Sequence, residues 1–228
     1  MDLEFLWDFI FPKRCIGCGA FGSYFCFSCF RKIHFVTSGI CPVCERASIY
    51  GVTHPVCLNK YSIDGLSSVA IYEGVMKIAI RKFKYKPYLS HLGEVLGLIL
   101  ANISHFSVPK GEWIVTAVPL HRHKEKERGF NQAEILGKVI GERLGYKFVP
   151  DILLRQKETK IQAKLSEEER KKNIAEAFVL NGKNHLLISE KSIIMVDDVW
   201  TTGATIRTCA NVLKRGGVKR VWGLTLAR

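Results

Sequence analysis

The sequence IIMVDDVWTTGAT, at residues 193–205, has the pattern of a buried strand that ends in two acids and leads through a Thr- and Gly-rich loop into a helix. The two acids, Asp197 and Asp198, are expected at the carboxyl end of the strand, where carboxylates can accept hydrogen bonds from a vicinal diol. Backbone N–H groups at a helix start favour an anion, and Gly203 lets the backbone approach it closely. The predicted phosphate-binding residues are Val199, Thr201, Thr202, Gly203, Ala204 and Thr205.

A simple capped turn would use the same residue types, since Asp and Thr are common helix N-caps. Two consecutive acids directly after a buried strand, followed by TTGAT, nevertheless favour a ligand site. The run resembles the phosphoribosyl pyrophosphate (PRPP) signature of type I phosphoribosyltransferases. The resemblance implies that Asp197 and Asp198 are catalytic residues that hold the ribose 2′ and 3′ hydroxyls. It also implies that residues 201–205 hold the 5′-phosphate and that Mg²⁺ binds together with PRPP.

Short apolar strands alternate with helical periods throughout residues 61–228. Strand-like runs occur at 67–72, 113–118, 148–154, 192–196 and 220–226. Helical patterns occur at 75–83, 89–103, 131–144, 167–175 and 204–214. This alternation predicts an α/β domain with a Rossmann-like parallel sheet, in which ligands bind beyond the carboxyl ends of the strands. The PRPP signature makes the expected form type I phosphoribosyltransferase-like.

A second candidate anion site is VPLHRHKEKERGF, residues 118–130, which follows another apolar strand. A turn that carries His, Arg and several Lys side chains can bind pyrophosphate. A solvated basic loop explains the same charges equally well, and both interpretations stay open. The residues predicted to bind pyrophosphate are Leu120, His121, Arg122 and Arg128.

A resemblance to one family covers nearly the whole chain. The matching motifs are VPLHRHKEKERGFNQAEIL at 118–136, VDDVWTTGAT at 196–205, the terminal LTLAR, and a ladder formed by Arg155, Gln162, Leu165, Arg170, Asn173 and Phe178. Together they are similar to the ComF/ComFC family of competence-associated, phosphoribosyltransferase-like proteins. The resemblance implies a pyrophosphate loop at 119–122, supported by Arg128, Asn131 and Gln132. It also implies a role in handling single-stranded DNA beside a competence helicase. Trp200 departs from the family, in which a smaller or aliphatic residue is more usual.

Residues 1–60 differ in composition, because seven of the eight cysteines lie before residue 58. They form three CxxC pairs and, with His54, one HxxC pair, a spacing that lets one tight turn offer two ligands to a single Zn²⁺. Sequential or cross-brace pairing is possible, and His54 is either a ligand or a plain surface residue. We expect a double zinc ribbon with a structural role, because four ligands leave no position for water. The predicted ligands are Cys15, Cys18, Cys26, Cys29, Cys41, Cys44, His54 and Cys57.

The charge is strongly positive, with 34 Lys and Arg against 21 Asp and Glu and a formal net charge of +13. Such a balance favours anionic partners such as nucleic acid or phosphorylated metabolites. The string RKFKYK at 81–86 interleaves bases with aromatics, which suits single-stranded DNA, although a solvated helix face gives the same string. The DNA-binding residues predicted from it are Lys82, Lys84 and Lys86.

A purely structural partner protein for a competence helicase is disfavoured, because a scaffold does not require the acid pair and TTGAT. Two other functions remain open from the sequence. One is phosphoribosyl transfer from PRPP to an acceptor that the sequence does not name; the other is a non-catalytic module that binds PRPP or a nucleotide together with single-stranded DNA. No run reaches the roughly 20 apolar residues of a membrane span, and acids near the N-terminus are unlike a secretion signal. We therefore expect a cytoplasmic protein. Membrane association, through the competence machinery or the apolar residues 3–11, is the alternative.

Overall fold

A computed structural model describes residues 12–85, 90–156 and 177–228 of the chain. Its strands are β1 (Gly39–Ile40), β2 (Ala47–Ser48), β3 (Gly65–Ala70), β4 (Ile114–Ala117), β5 (Lys147–Phe148), β6 (Leu153–Arg155), β7 (Phe178–Leu180), β8 (Ser192–Val199) and β9 (Arg220–Ala227). Its helices are α1 (Phe27–Phe30), α2 (Gly74–Tyr85), α3 (Ser90–Ser107), α4 (Arg122–Arg128), α5 (Gln132–Leu144), α6 (His185–Ile188) and α7 (Ala204–Arg215). Within these ranges no helix combines the length and the apolar character that crossing a membrane requires.

The centre of the fold is a five-stranded parallel sheet with the order β3-β9-β8-β4-β5. The middle strand, β8, is buried on both faces because its apolar run alternates between two cores. Ile194 and Val196 pack in the core that contains buried residues of α2, α3 and α5, whereas Ile193 and Met195 pack in the core that contains α7. The predicted α/β architecture with a parallel sheet is confirmed, and a cysteine-rich segment precedes it in the chain.

The parallel register places two strand ends side by side. Ala117 of β4 pairs with Val196 of β8, and the N–H of Val118 donates to the carbonyl of Val196 at 2.9 Å. The segments that follow β4 and β8 therefore leave the sheet at the same edge, which is where ligands bind in open parallel sheets. Both sequence-predicted anion sites begin at this edge.

The strand predicted at 148–154 differs from the structure, which has two short strands there. β5 joins the parallel sheet beside β4, whereas β6 pairs antiparallel with β7 in a separate two-stranded sheet. Pro150 lies between them, and a proline has no N–H to donate to a strand ladder. The helix predicted at 167–175 and the apolar segment 3–11 lie outside the described residues.

The N-terminal cysteine-rich segment is packed against the sheet. Cys15, Ile16 and Cys29 share a core with residues of α2 and β3. Along the edge of β3, the N–H of Val36 donates to Val69 at 2.9 Å, and the N–H of Thr53 donates to Asp64 at 2.9 Å. The segment thus covers an exposed sheet edge that would otherwise present unpaired backbone groups. The domain boundary at residues 60 and 61 stays a prediction.

Candidate functional site

The acidic pair lies at the carboxyl end of β8, as its position after the apolar run predicts. Asp198 is 8% exposed, and its N–H donates to Oδ1 of Asp197 at 2.8 Å. Burial, and after it the charge of the neighbouring Asp198 carboxylate, raises the pKa of Asp197 to about 7. The charges of Lys84 and Arg155 act in the opposite direction. The pair is therefore a desolvated acidic site, and a hydroxyl or cationic partner would stabilise its charge.

Lys84 provides such a cationic partner. Its Nζ lies 2.8 Å from Oδ2 of Asp198, and both side chains are largely buried. The carbonyl of Lys84 also accepts a hydrogen bond from Nε2 of Gln132 at 3.5 Å, which ties the end of α2 to the start of α5.

The lysine patch predicted to bind DNA is thus not a continuous surface. Lys84 turns inward to the acidic pair, and Phe83 has no exposed area for a base to stack on. Lys82 donates to the carbonyl of Ile16 at 3.5 Å. Lys86 lies outside the described residues. The string of alternating charges and aromatics could not reveal this division, because it depends on which face of α2 meets the sheet.

The loop after the acidic pair has an open helix start. Gly203 is the N-cap of α7 with a positive φ of 67°, and no side chain caps the helix. This differs from the simple capped turn that the sequence also allowed. Thr201 and Thr202 are exposed beside the first turn of α7. Their hydroxyls and the uncapped N–H groups supply the donors that a phosphate needs.

Trp200 packs beneath this loop. Its backbone N–H donates to the carbonyl of Ala227 at 2.8 Å, and the residue is 3% exposed. A Cβ placed on Gly203 would lie 2.1 Å from the Trp200 ring, so only glycine fits there. The indole therefore supports the loop from inside the fold.

The predicted pyrophosphate loop is mostly helical. His121 is the N-cap of α4, and its Nδ1 accepts a hydrogen bond from the N–H of His123 at 3.3 Å. Arg122 is exposed, whereas Arg128 turns back to Oε1 of Gln132 at 3.0 Å. Asn131 holds the segment in place by donating to the carbonyl of Val118 at 3.1 Å. The basic side chains of this segment therefore point in two directions beside the end of β4. Only some of them can contact the same ligand.

A cavity of about 420 Å³ lies next to this segment. Leu120, His121 and Arg122 line it together with Asp151 and Arg155. Arg155 also stacks on Phe178 at 5.2 Å and lowers the pKa of Asp197 through its charge. Three of the four residues predicted to bind pyrophosphate thus share one concave space near the acidic pair.

The cysteines form two clusters, and the ligand pairs combine sequentially along the chain rather than as a cross-brace. Each cluster brings four ligand atoms within 4.8 Å of one another. We call the set Cys15, Cys18, Cys26 and Cys29 the first ribbon, and the set Cys41, Cys44, His54 and Cys57 the second ribbon. Zn–S bonds of about 2.3 Å in a tetrahedron give neighbouring sulfurs about 3.8 Å apart. The Sγ atoms of Cys18 and Cys26 are 3.7 Å apart.

The donor groups in both clusters suit Zn²⁺ with a structural role. Burial raises the pKa of the Cys15 and Cys41 thiols, but backbone N–H groups aimed at the sulfurs outweigh it and bring the two values to about 6 and about 7. Deprotonated thiolates are the form that binds zinc. Four protein ligands complete each tetrahedron, so no position is left for a reacting water.

His54 has the geometry of a ligand rather than a surface residue. Its Nδ1 lies 3.3 Å from Sγ of Cys44, while Nε2 is 3.0 Å from the carbonyl of Ala47. A hydrogen bond from Nε2–H to that carbonyl leaves the Nδ1 lone pair facing the cysteines. A histidine that binds zinc commonly makes this kind of second hydrogen bond. The second ribbon therefore contains three cysteines and one histidine.

The strand order, the acidic loop and the two clusters define a class of protein: an α/β domain with a five-stranded parallel sheet, preceded by a double zinc ribbon. Residues 6–58 match the family model described as "Double zinc ribbon domain". A solved structure of glutamine PRPP amidotransferase from B. subtilis, complexed with ADP and GMP, is 17% identical with a TM-score of 0.43. It covers 63% of this chain and 30% of its own, and at that TM-score no argument rests on it.

Curated relatives resemble the chain along most of its length. Competence protein F of Haemophilus influenzae is 27% identical in an alignment of 228 positions that covers 91% of this chain and 99% of the relative. Competence protein ComFC of Bacillus subtilis is 28% identical and covers 89% of this chain and 83% of its own. DNA utilization protein YhgH of Escherichia coli K12 is 28% identical, with 87% and 95% covered. The chain is thus similar to the ComF competence proteins along most of its length, and the resemblance expected from the sequence is confirmed.

Proposed function

We propose that the chain binds the ribose 5-phosphate part of PRPP at residues 196–205. The observation that carries the proposal is the buried acidic pair directly before an uncapped helix start, at the edge where β4 and β8 end together. A sugar with a vicinal diol and a 5′-phosphate presents both the hydroxyls and the anion that these two features accept. The names of the relatives add competence and DNA utilization as the setting in which the site would work.

Each group in the site has a proposed task. Asp197 and Asp198 orient the ribose through its hydroxyls, and the N–H groups and threonines at the start of α7 hold the 5′-phosphate. His121 and Arg122 lie where they can hold the pyrophosphate. The carboxylates are oxygen donors of the kind that suits Mg²⁺, which would neutralise charge on the pyrophosphate. The ribose anomeric carbon would then exchange its bond to pyrophosphate for one to an external acceptor.

Calorimetry with PRPP and Mg²⁺ tests the binding site. The wild type is expected to bind, and the Asp197→Asn/Asp198→Asn double variant is expected to lose binding, because an amide cannot replace the charge of a carboxylate. Glu142→Gln on the exposed side of α5 is a control that should bind normally. Failure of a folded, zinc-loaded wild type to bind PRPP would refute the proposal.

Transfer and simple binding can be separated by measuring pyrophosphate. A transferase releases it from PRPP when the acceptor is present, whereas a binding module retains intact PRPP. A non-catalytic module that binds PRPP or a nucleotide is therefore the second candidate function. A cytoplasmic location is part of both proposals, because zinc thiolates require reduced cysteines.

We further propose that single-stranded DNA binds to the first ribbon. Phe21 and Phe27 are 63% and 77% exposed there, which is unusual for large aromatic rings. Arg14 lies 4.1 Å from the ring centre of Phe21, and Arg31 lies 5.6 Å from that of Phe27. Exposed aromatic rings paired with arginines supply both base stacking and phosphate contacts.

Fluorescence anisotropy with a labelled oligothymidine tests this surface. Phe27→Ala should weaken binding by roughly tenfold, in line with the loss of one stacked base. Leu186→Ala, which removes a 91% exposed apolar side chain far from the ribbon in sequence, serves as the control. Equal affinity of the Phe27→Ala variant and the wild type would exclude the first ribbon as the DNA surface.

A further inference from the structure

The second ribbon and the phosphate loop are connected through one side chain, Arg207 of α7. Its Nη1 donates to the carbonyl of Pro42 at 3.1 Å and lies 3.3 Å from Oε1 of Glu45. Its Nη2 donates to the carbonyl of Thr202 within the phosphate loop. We propose that the second ribbon positions the ribose-phosphate loop through Arg207, so that its zinc-bound turn is a working part of the ligand site. The inference rests on the proposed function of that loop.

The geometry of the guanidinium supports a positioning role. Its planar fork presents N–H groups in fixed directions, so a contact to the ribbon and a contact to the loop are made at the same time. The guanidinium carbon also lies 5.5 Å from the centre of the Trp200 ring, which supports the loop at Gly203. Arg207 therefore restrains the loop directly through Thr202 and indirectly through Trp200.

The backbone of Glu45 provides an independent observation. Glu45 follows the ligand Cys44 and has a positive φ of 60°, a conformation that glycine adopts far more easily. Its N–H donates to the carbonyl of Cys41 at 2.8 Å, so the turn itself requires this conformation. Glycine would form the turn with less strain but would have no carboxylate. The presence of a glutamate is explained by its side-chain contact with Arg207.

Because Glu45 combines a strained backbone with a contact to Arg207, its substitution separates an effect on stability from an effect on the position of the phosphate loop. Glu45→Gly relieves the backbone strain and keeps both zinc sites, yet it removes one contact between the ribbon and Arg207. Glu190→Gly is a matched control, since Glu190 is exposed and also has a positive φ, of 59°, in a turn whose N–H donates to Gly217. Both substitutions remove one negative charge and relieve one positive φ. Only Glu45→Gly affects the contacts by which Arg207 joins the second ribbon to the phosphate loop, which we call the bridge.

The experiment measures backbone hydrogen exchange of residues 198–207 without ligand, and PRPP affinity by calorimetry. Arg207→Ala is expected to speed exchange in this segment and to weaken PRPP binding by about three- to thirty-fold, the usual range of coupling between sites. Arg207→Lys should recover part of both, because an ammonium can make one of the two contacts. Glu45→Gly should show a smaller change of the same sign with unchanged or higher Tm, and Glu190→Gly should behave like the wild type. Zinc content measured by mass spectrometry should stay at two per chain in every variant.

The outcomes distinguish the inference from the proposed function. Unchanged exchange in a folded, zinc-loaded Arg207→Ala protein overturns the inference. Faster exchange in Arg207→Ala, with no PRPP binding by the wild type, supports the bridge and refutes the proposed ligand instead. If Arg207→Ala does not fold, Glu45→Gly decides the question, because it leaves α7 intact. Exchange in Glu45→Gly that equals that of Glu190→Gly then counts against the bridge.

Discussion

Replacing Asp197 with Asn is expected to stabilise the fold at pH 8. The pKa of this carboxyl rises from an ordinary 3.8 to about 7 in the folded chain, first through burial and then through the adjacent Asp198. The folded state therefore holds its proton more tightly than the unfolded state, so stability falls as the pH rises from about 4 to 7. Between pH 5.5 and 8 the expected loss is about 2 kcal/mol for these two pKa values. An amide does not ionise and keeps the oxygen that accepts the N–H of Asp198.

Urea unfolding at pH 5.5 and pH 8 measures this effect, with zinc content checked at both values. The wild type should lose stability between the two conditions, and Asp197→Asn should lose about 2 kcal/mol less. Glu142→Gln, an exposed carboxylate changed in the same way, should follow the wild type. Parallel pH profiles for Asp197→Asn and the wild type would refute the reasoning, because they would mean that folding does not raise the pKa of Asp197.

Three further substitutions test other parts of the site. His54→Ala should lower the zinc content from two to one per chain, as measured by inductively coupled plasma mass spectrometry, while His54→Cys should keep two. Gly203→Ala should abolish PRPP binding in calorimetry, since its Cβ would lie 2.1 Å from Trp200 in a loop with positive φ. Lys84→Ala should raise the pKa of Asp197 further, because it removes a positive charge that lowers this pKa. Carboxyl titration by NMR measures that shift.

Matched controls exist for these substitutions. Gly182→Ala places a Cβ in open space, so it should leave PRPP binding unchanged. Lys138→Ala removes an exposed lysine of α5 and should not move the pKa of Asp197. Two zinc ions in the His54→Ala protein, or a tight PRPP complex with Gly203→Ala, would contradict the geometry on which these predictions depend.

The sequence by itself determined the order of the elements and the chemistry of the separate motifs. An apolar run such as IIMV is typical of a strand in a sheet covered on both faces, and the acids after it are then expected at the carboxyl end. The cysteine spacing likewise indicated zinc, because short gaps bring two thiolates to one ion. These conclusions depend on neighbours along the chain, so local sequence contains them.

Only the tertiary structure decided which distant groups meet. Lys84 belongs to the acidic pair rather than to a DNA surface because α2 packs with that side toward β8, and no helical period specifies this choice. His54 is oriented as a ligand because the carbonyl of Ala47 accepts a hydrogen bond from its Nε2, which leaves Nδ1 facing the cysteines. Arg207 joins the second ribbon to the phosphate loop across 162 positions of sequence from Glu45. Such contacts follow from how helices, ribbons and sheet pack in space, and packing is a property of the whole chain.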